Sequence, residues 1–310
     1  MPSPWLTVVI GGALSAALYL AAPATPATAL LGSLTQAPLF FVGLWLGAPG
    51  ALAASGIAAV GISVFAGFGL VAALLFMLIH AGPVVLLTRQ ALLSRSAAGG
   101  GVEWYPPGLL VCWLVGLGVA CFALALIAFA GWEGGLAGAV RSRTEALLPA
   151  IERQVPAARL LLDAVAPVIP GFVIAVWMSW TVVNGSLAQG LAKALKRNRR
   201  PSPDIGDTVL PRWVFGALAA AAVAALVGPG LLGYAGANLT VILLVPFLFV
   251  GLAVVHRLSR RMKGRAVALG IIYAMMLVFG WPILAIVGLG LVEQWIGLRR
   301  RFAGAPGGER

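Results

Sequence analysis

Long apolar runs, rather than the short alternations of a soluble fold, organise the polar and hydrophobic positions of this chain. Apolar stretches occupy about 5–22, 28–47, 50–66, 68–88, 107–131, 164–190, 213–233 and 238–256, and a last one covers 266–297. A helix crossing a hydrocarbon layer of ~30 Å needs roughly 20 apolar residues. No water at that depth bonds a free N–H or C=O, so each stretch is predicted to be an α-helix whose backbone bonds are internal. The alternating pattern of transmembrane barrel strands is not seen. Pro23, Pro26, Pro49 and Pro106-Pro107 fall between runs, where a residue without an N–H can start or stop a helix. The expected fold is all-α, a polytopic transmembrane bundle of about eight spans within a single membrane domain over 1–310.

Three features subdivide that bundle. Very short turns join the first four spans, so 5–88 is expected to form a tight four-helix block, with Gly56, Gly61, Gly67 and Gly69 allowing close backbone approach. The only sizeable polar connection, 132–163, carries Leu147, Leu148, Ile151 and Val155 on one side of a short helix. Arg141, Arg143, Glu145, Glu152 and Arg153 lie on the other, as in a helix resting on the membrane surface or over the mouth of the bundle. In the C-terminal helices of 164–297, Gly280-Trp281-Pro282 interrupts the last run at its middle. Proline removes a backbone donor there, so 266–297 is predicted to be two half-length helices forming a hairpin, with other helices shielding its turn.

Composition agrees with lipid as the solvent: 61% of residues are hydrophobic, 10% are charged, and the mean hydropathy is +1.02. The net charge of +12 is an orientation signal. Seventeen of the 21 Lys and Arg residues lie in 89–106, 193–212, 257–265 and the tail, and the other four are Arg141, Arg143, Arg153 and Arg159. By the positive-inside rule this predicts an N-in, C-in protein of a bacterial cytoplasmic membrane. Nucleic acid is not an expected partner, because no aromatic residues interleave with the charges. The opening run lacks a basic n-region and reads as a first span rather than a cleaved leader.

Candidate chemistry is sparse. Cys112 and Cys121 are not spaced as a redox or metal pair and read as packing residues. Asp163 and Glu293 lie at span ends, and His80 and His256 lie close to the ends of theirs. No HExxH, P-loop or GxSxG motif occurs. The expectation is therefore no catalytic residues, no metal, no cofactor and no enzymatic activity. The densest polar set, Trp177, Ser179, Trp180, Thr181, Asn184, Ser186 and Gln189, lies in the sixth span. Of these, Trp180, Thr181, Asn184 and Gln189 are candidate ligand contacts, the set forming either an interhelical hydrogen-bond network or a polar patch that lines a pocket or meets a partner. Tyr234 and Asn238 flank the Gly-rich turn Gly228-Pro229-Gly230-Leu231-Leu232-Gly233 and are the second candidate ligand contact, alternatively a belt tyrosine and a helix cap. The basic loop around Arg197, Arg199 and Arg200 is suited to membrane lipid headgroups or a soluble partner.

The C-terminal third carries a resemblance. Leu210-Pro211-Arg212-Trp213 opens one span, and Asn238 begins the next. That span ends in Gly251-Leu252-Ala253-Val254-Val255-His256, after which come Pro282, Gly288-Leu289-Gly290, Glu293-Gln294-Trp295 and Arg299-Arg300-Arg301. With the sixth-span pattern Val183-Asn184-Gly185-Ser186-Leu187-Ala188-Gln189, this resembles the YybS-like family of bacterial membrane proteins. That family is in turn distantly similar to the substrate-binding components of energy-coupling-factor transporters. The resemblance implies a small molecule bound near the outer face and a separate transmembrane coupling protein as partner. It also implies a contact stripe of small residues, here Gly12, Ala16 and Ala21. The two functional expectations are a small-molecule-binding transporter component without its own ATPase, and a non-transporting scaffold or assembly factor for envelope proteins.

Overall fold

The computed structural model describes residues 3–297, apart from 98, 154, 156, 205, 207 and 261. The chain is a helical membrane bundle. In order, its helices are α1 (Pro4–Ala21), α2 (Pro26–Gly32), α3 (Gln36–Leu46), α4 (Ala48–Phe65), α5 (Gly69–Phe76), α6 (Gly82–Ala91), α7 (Pro107–Ala128), α8 (Gly135–Glu152), α9 (Ala158–Val165), α10 (Ile169–Ala194), α11 (Arg212–Val227), α12 (Leu231–Ser259), α13 (Arg265–Phe279) and α14 (Pro282–Ile296). Among the described residues, seven helical segments are long and apolar enough to span. The bent pair α13–α14 adds an eighth if it is counted as one span. The predicted seventh span is shorter than expected, because α11 stops at Val227 and only Gly228-Pro229-Gly230 form the turn. Leu231, Leu232 and Gly233 join α12, which at 1.5 Å per residue is about 43 Å long.

Local sequence explains the boundaries. The Ser3 hydroxyl caps α1 by accepting from Leu6 N–H at 3.2 Å, with Pro4 beginning the first turn. Thr25 and Thr28 form a capping box ahead of Pro26. Gly47, at φ +94°, joins α3 to α4 alone, in a backbone region that disfavours any side chain. The basic connection after α6, predicted as a plain loop, contains a small hairpin of β1 (Ser94–Ser96) and β2 (Val102–Trp104), with Arg95 paired to Glu103 at 2.8 Å.

The chain divides into two compact units, one of Met1–Leu114 with Trp177–Pro203, the other of Val115–Val176 with Asp204–Arg310. In the first, α1 packs on α4 at Gly12, where a Cβ would lie 2.5 Å from the Ala54 carbonyl oxygen. Gly43 makes the equivalent contact with Thr88. The glycines expected to do this, Gly56 and Gly67, have no neighbour within 4 Å, and Gly61 only an ordinary contact with Ala16 at 3.5 Å. Helices apolar on every face give no sequence cue to which glycine faces a neighbour. Gly12 and Ala16 are consequently buried within the unit and are not a free contact stripe.

In the second unit α12 is the central helix. Gly236 closes it on α11, a Cβ there lying 2.4 Å from Ala225 N. Gly251 and Gly290 close it on α14: Cβ atoms would lie 1.9 Å from the Ile286 and Phe247 carbonyl oxygens respectively. Because 251 pairs with 286 and 247 with 290, α14 runs antiparallel to α12, away from the basic end at 257–265. The predicted break is present, since α13 and α14 meet at 120°. The expected shielding of its turn is not, for Phe279, Gly280 and Trp281 are exposed and α13 has no buried residue. α14 does not lead back toward the basic end as expected, and Arg299-Arg300-Arg301 lie outside the described residues. Glu293, near the end of α14, is buried at 5% exposure.

The α12–α14 seam yields a sharp test. Gly251→Ala or Gly290→Ala forces a methyl into backbone and is expected to destabilise the fold by about 1–3 kcal/mol, the usual range for overpacking. Gly288→Ala on the same helix meets open space and is expected to leave the thermal midpoint in detergent unchanged. Equal midpoints for all three variants would contradict the seam.

Candidate functional site

Two prolines shape the polar interior of the first unit. Pro83 cannot donate to the Ile79 carbonyl, which an α-helix would require. The backbone widens here into a π-turn over Met77–Ala81, Gly82 N–H reaching back to the Met77 carbonyl. The indole N–H of Trp177 donates to the Ile79 carbonyl at 3.1 Å. Pro38 likewise cannot serve Leu34, so Ala37 N–H donates to the Leu34 carbonyl at 2.9 Å instead. That diversion frees the Ser33 carbonyl, which accepts from Asn184 Nδ2 at 2.8 Å. The neighbouring Thr35 carbonyl accepts the Ser15 hydroxyl at 2.7 Å.

Trp177, Thr181 and Asn184 occupy one face of α10 at spacings i, i+4 and i+7. Thr181 donates back to the Trp177 carbonyl at 2.9 Å, and Asn184 Nδ2 also reaches the Trp180 carbonyl at 2.7 Å. Gln189, one turn further, donates to the Arg200 carbonyl at 2.9 Å and to Ser202 Oγ at 3.3 Å. Of the sixth-span candidates, Thr181, Asn184 and Gln189 thus make hydrogen bonds to backbone. Trp180 contributes its carbonyl. Trp177, a member of the sixth span's polar set, supplies the donor that the carbonyl freed by Pro83 needs.

Among the described residues, some buried polar atoms in this unit have no hydrogen-bond partner: Gln36 Nε2, His80 Nδ1, Thr88 Oγ1 and Asn184 Oδ1. His80 was expected beside a proline kink. It lies inside the π-turn, its ring 5.7 Å from Tyr19 and 5.8 Å from Phe76.

In the second unit Asn238 is a complete staple. Its Oδ1 accepts the Gly171 N–H at 2.7 Å, and its Nδ2 donates to the Pro167 and Tyr234 carbonyls, both at 2.9 Å. Gly171 sits in the first turn of α10, where N–H groups lack helical partners, and a Cβ there would lie 2.8 Å from the Asn238 carbonyl oxygen. Asn238 therefore caps one helix from the interior of another. Four residues earlier, the Tyr234 hydroxyl is buried without a partner among the described residues, and its ring lies 6.4 Å from Phe122. Tyr234 lines a hollow of about 260 Å³ with Leu126, Gly134, Leu136, Gly230 and Leu231. A second hollow of about 460 Å³ shares Leu136 and is lined by Phe129, Trp132, Val140, Ser142 and Arg143. Neither is enclosed. Both border α8, whose Leu148 is buried while Leu147 and Ile151 are exposed.

Hydrogen bonds to backbone and the Asp204–Arg260 ion pair help to hold the later basic loops. Arg200 is buried and donates to the Ala91 carbonyl at 2.9 Å, its guanidinium pushed below its ordinary value by burial. Asp204 pairs with Arg260 and accepts Gly206 N–H at 2.9 Å, and chiefly the Arg260 contact holds its carboxyl below the ordinary value. Among the described residues no three of His, Cys, Asp and Glu converge to hold a metal ion.

Residues 154–293 match the model of a family described as "Predicted membrane protein (DUF2232)". The chain is a multi-pass membrane protein. The matched stretch runs from before α9 into α14 and holds all six candidate residues, Trp180, Thr181, Asn184, Gln189, Tyr234 and Asn238. No curated protein and no solved structure matches the chain.

Two outcomes follow from this geometry. Asn238→Leu strands the Gly171 N–H and the Pro167 carbonyl, and a loss of about 1–3 kcal/mol per buried group is expected in thermal unfolding. Thr240→Val, whose hydroxyl bonds only to its own helix at Gly236, is expected to change stability by about half a kcal/mol or less. For Asp204 the folded pKa is the lower one. Its contribution to stability is therefore fully present above the ordinary value of 3.8 and lost as pH falls from there through the folded value. A carboxyl-carbon NMR titration should place Asp204 below 3.8 and return it upward in Arg260→Gln. An unshifted titration in the parent protein would refute the ion pair.

Proposed function

We propose that this protein is a small-molecule-binding component of a bacterial cytoplasmic-membrane assembly, oriented N-in with its basic loops in the cytoplasm and acting without an ATPase of its own. The observation that carries this reading is the pair of adjoining hollows that share Leu136 beside α8. Their lining is mostly apolar. Tyr234, whose buried hydroxyl has no partner among the described residues, lines one, and Ser142 and Arg143 line the other. Few polar groups in an apolar lining are the usual make-up of a ligand site, and this set suits an amphiphile with an acidic or hydrogen-bonding head. The resemblance to energy-coupling-factor binding components supports the same reading and supplies the class of partner, a transmembrane coupling protein.

A scaffold for envelope proteins is the second reading, favoured by α13. This apolar helix has no buried residue and offers its whole length to another membrane protein. Native mass spectrometry of the full-length protein in mild detergent separates the two. A defined small molecule, retained by the parent and reduced about tenfold or more by Tyr234→Phe, a loss of about 1.4 kcal/mol or more, is the expected result. A stoichiometric membrane protein with no small molecule would replace the binding reading by the scaffold.

A further inference from the structure

Two of the buried polar atoms that lack a partner among the described residues are complementary: Gln36 Nε2 is a donor and Asn184 Oδ1 an acceptor. Both side chains are deep in the first unit, at 3% and 0% exposure. An amide nitrogen offers two N–H donors and an amide oxygen two lone pairs. Within a span no bulk solvent relieves either group, so each costs free energy until something stands between them.

The fold brings the two to one crossing. Asn184 Nδ2 donates to the Ser33 carbonyl at 2.8 Å. The next residue of α10, Gly185, faces the Phe40 ring, whose nearest atoms lie 3.8 Å from where a Cβ would be. Residues 184 and 185 thus meet the α2–α3 segment at 33 and at 40. Gln36, the first residue of α3, lies between these contacts, one turn after Ser33 and one turn before Phe40, on the face that α10 covers. The other two unpartnered atoms of the unit are placed elsewhere. Thr88 packs on Gly43, which is seven residues from Gln36 and so about 10 Å along α3. His80 lies against Tyr19 and Phe76.

The crossing also has room. At Gly12 of the same unit a Cβ would lie 2.5 Å from the Ala54 carbonyl oxygen, whereas at Gly185 it would make only an ordinary contact. Beside Asn184, α10 and α3 therefore stand apart by the space of a methyl group, which is larger than a water molecule. Immobilising one water costs less than stranding two amide groups. We propose that a single internal water is bound here, accepting from Gln36 Nε2 and donating to Asn184 Oδ1. Together with the direct bond to Ser33, it completes the hydrogen bonding of the Asn184 amide and fixes α10 onto the turn that Pro38 opens. Asn184 is thereby assigned to hydration of the helix crossing rather than to contact with a solute. The site belongs to the first unit, the hollows beside α8 are lined by residues of the second, and the water does not depend on what those hollows bind.

The test is solid-state NMR of the full-length protein in lipid bilayers, with the side-chain amides of Asn and Gln labelled with nitrogen-15. It reads magnetisation passed from water to each amide. Gln36, assigned by the loss of its signal in Gln36→Met, is expected to show a water cross-peak. Asn238 is the control: it is fully buried, its amide is bonded within the protein at both ends, and no cross-peak is expected at the same mixing time. Asn184→Leu is expected to abolish the Gln36 cross-peak, and Thr88→Val to leave it unchanged. Should Asn184→Leu not fold, the thermal midpoint of Gln36→Met decides. Loss of the bridge is expected to lower it by a few degrees, whereas removal of an unpaired donor leaves it equal or raises it, and either of those overturns the proposal. A Gln36 amide that receives nothing from water, or a cross-peak that survives Asn184→Leu, would overturn it as well. Transfer from a resonance other than that of water would overturn it in favour of a bound solute.

Discussion

A carbonyl left without a donor inside hydrocarbon carries a penalty of several kcal/mol, since no water is at hand to relieve it. This chain places prolines at 38 and 83 within its spans and so creates such carbonyls. The interior polar side chains go where those carbonyls are. Trp177 serves Ile79 and Asn184 serves Ser33, from one face of α10, while Asn238 serves Pro167 and the first-turn amide of Gly171. A single interhelical hydrogen bond in a membrane is worth only about 0.6–2 kcal/mol when an alternative partner exists. Set against an unpaired carbonyl the balance is much larger, and that difference explains why an indole sits at the Pro83 break and an amide at the Pro38 break. The polar residues follow from the backbone, and the backbone from the prolines.

Close packing is the second half of the same solution. Between helices bathed in lipid there is no hydrophobic drive to associate, because lipid tails are as apolar as leucine. Contact must come from dispersion and backbone approach, which favours positions lacking a Cβ. Gly236, Gly251 and Gly290 let α12 touch α11 and α14 backbone to backbone, and Gly171 sits against Asn238 at the very place where the side-chain amide closes the hydrogen bonds. Removing the Cβ and satisfying the carbonyl are thus achieved at one crossing. α12 contributes to each of these contacts, which is why a helix far longer than the membrane needs is buried over so much of its length.

Much of this was legible in the sequence, for reasons that differ from element to element. Apolar run length placed most spans to within a few residues, because length is dictated by bilayer thickness, but it put the turn between α11 and α12 too late, since Leu231 and Leu232 are as apolar as the helix they join. Gly280-Trp281-Pro282 marked the bend between α13 and α14, and the charged pattern of 132–163 marked α8. Asn184 and Asn238 were legible as amides needing partners. The partners themselves were not, since a free carbonyl leaves no mark in its own residue type: Ser33 and Pro167 look like any other turn. Nor could Gly12 be told from Gly56, for both lie in helices apolar all round, and only the fold decides which face meets a neighbour. The β1–β2 hairpin was missed because its strands are three residues long and polar.

The hairpin turn shows why the shielding expected from sequence is absent. That expectation assumed a break leaving carbonyls open, as at Ser33. Here the turn closes on itself: Gly280 N–H bonds the Met276 carbonyl, Trp281 N–H the Phe279 carbonyl, Ile283 N–H the Gly280 carbonyl and Leu284 N–H the Trp281 carbonyl. Gly280 makes this possible by adopting φ +70°, a conformation most residues resist. The N–H groups of the turn are thus met locally and call for no acceptor from another helix. Its carbonyls differ, because Pro282 cannot serve Val278 just as Pro83 cannot serve Ile79. In the first unit the Trp177 indole answers such a carbonyl from α10, and the unit is closed around it. At the α13–α14 break the turn is exposed instead, and α13 stands with no buried residue. The two breaks therefore meet one demand differently: the first by a side chain brought in from another helix, the second by leaving the turn open.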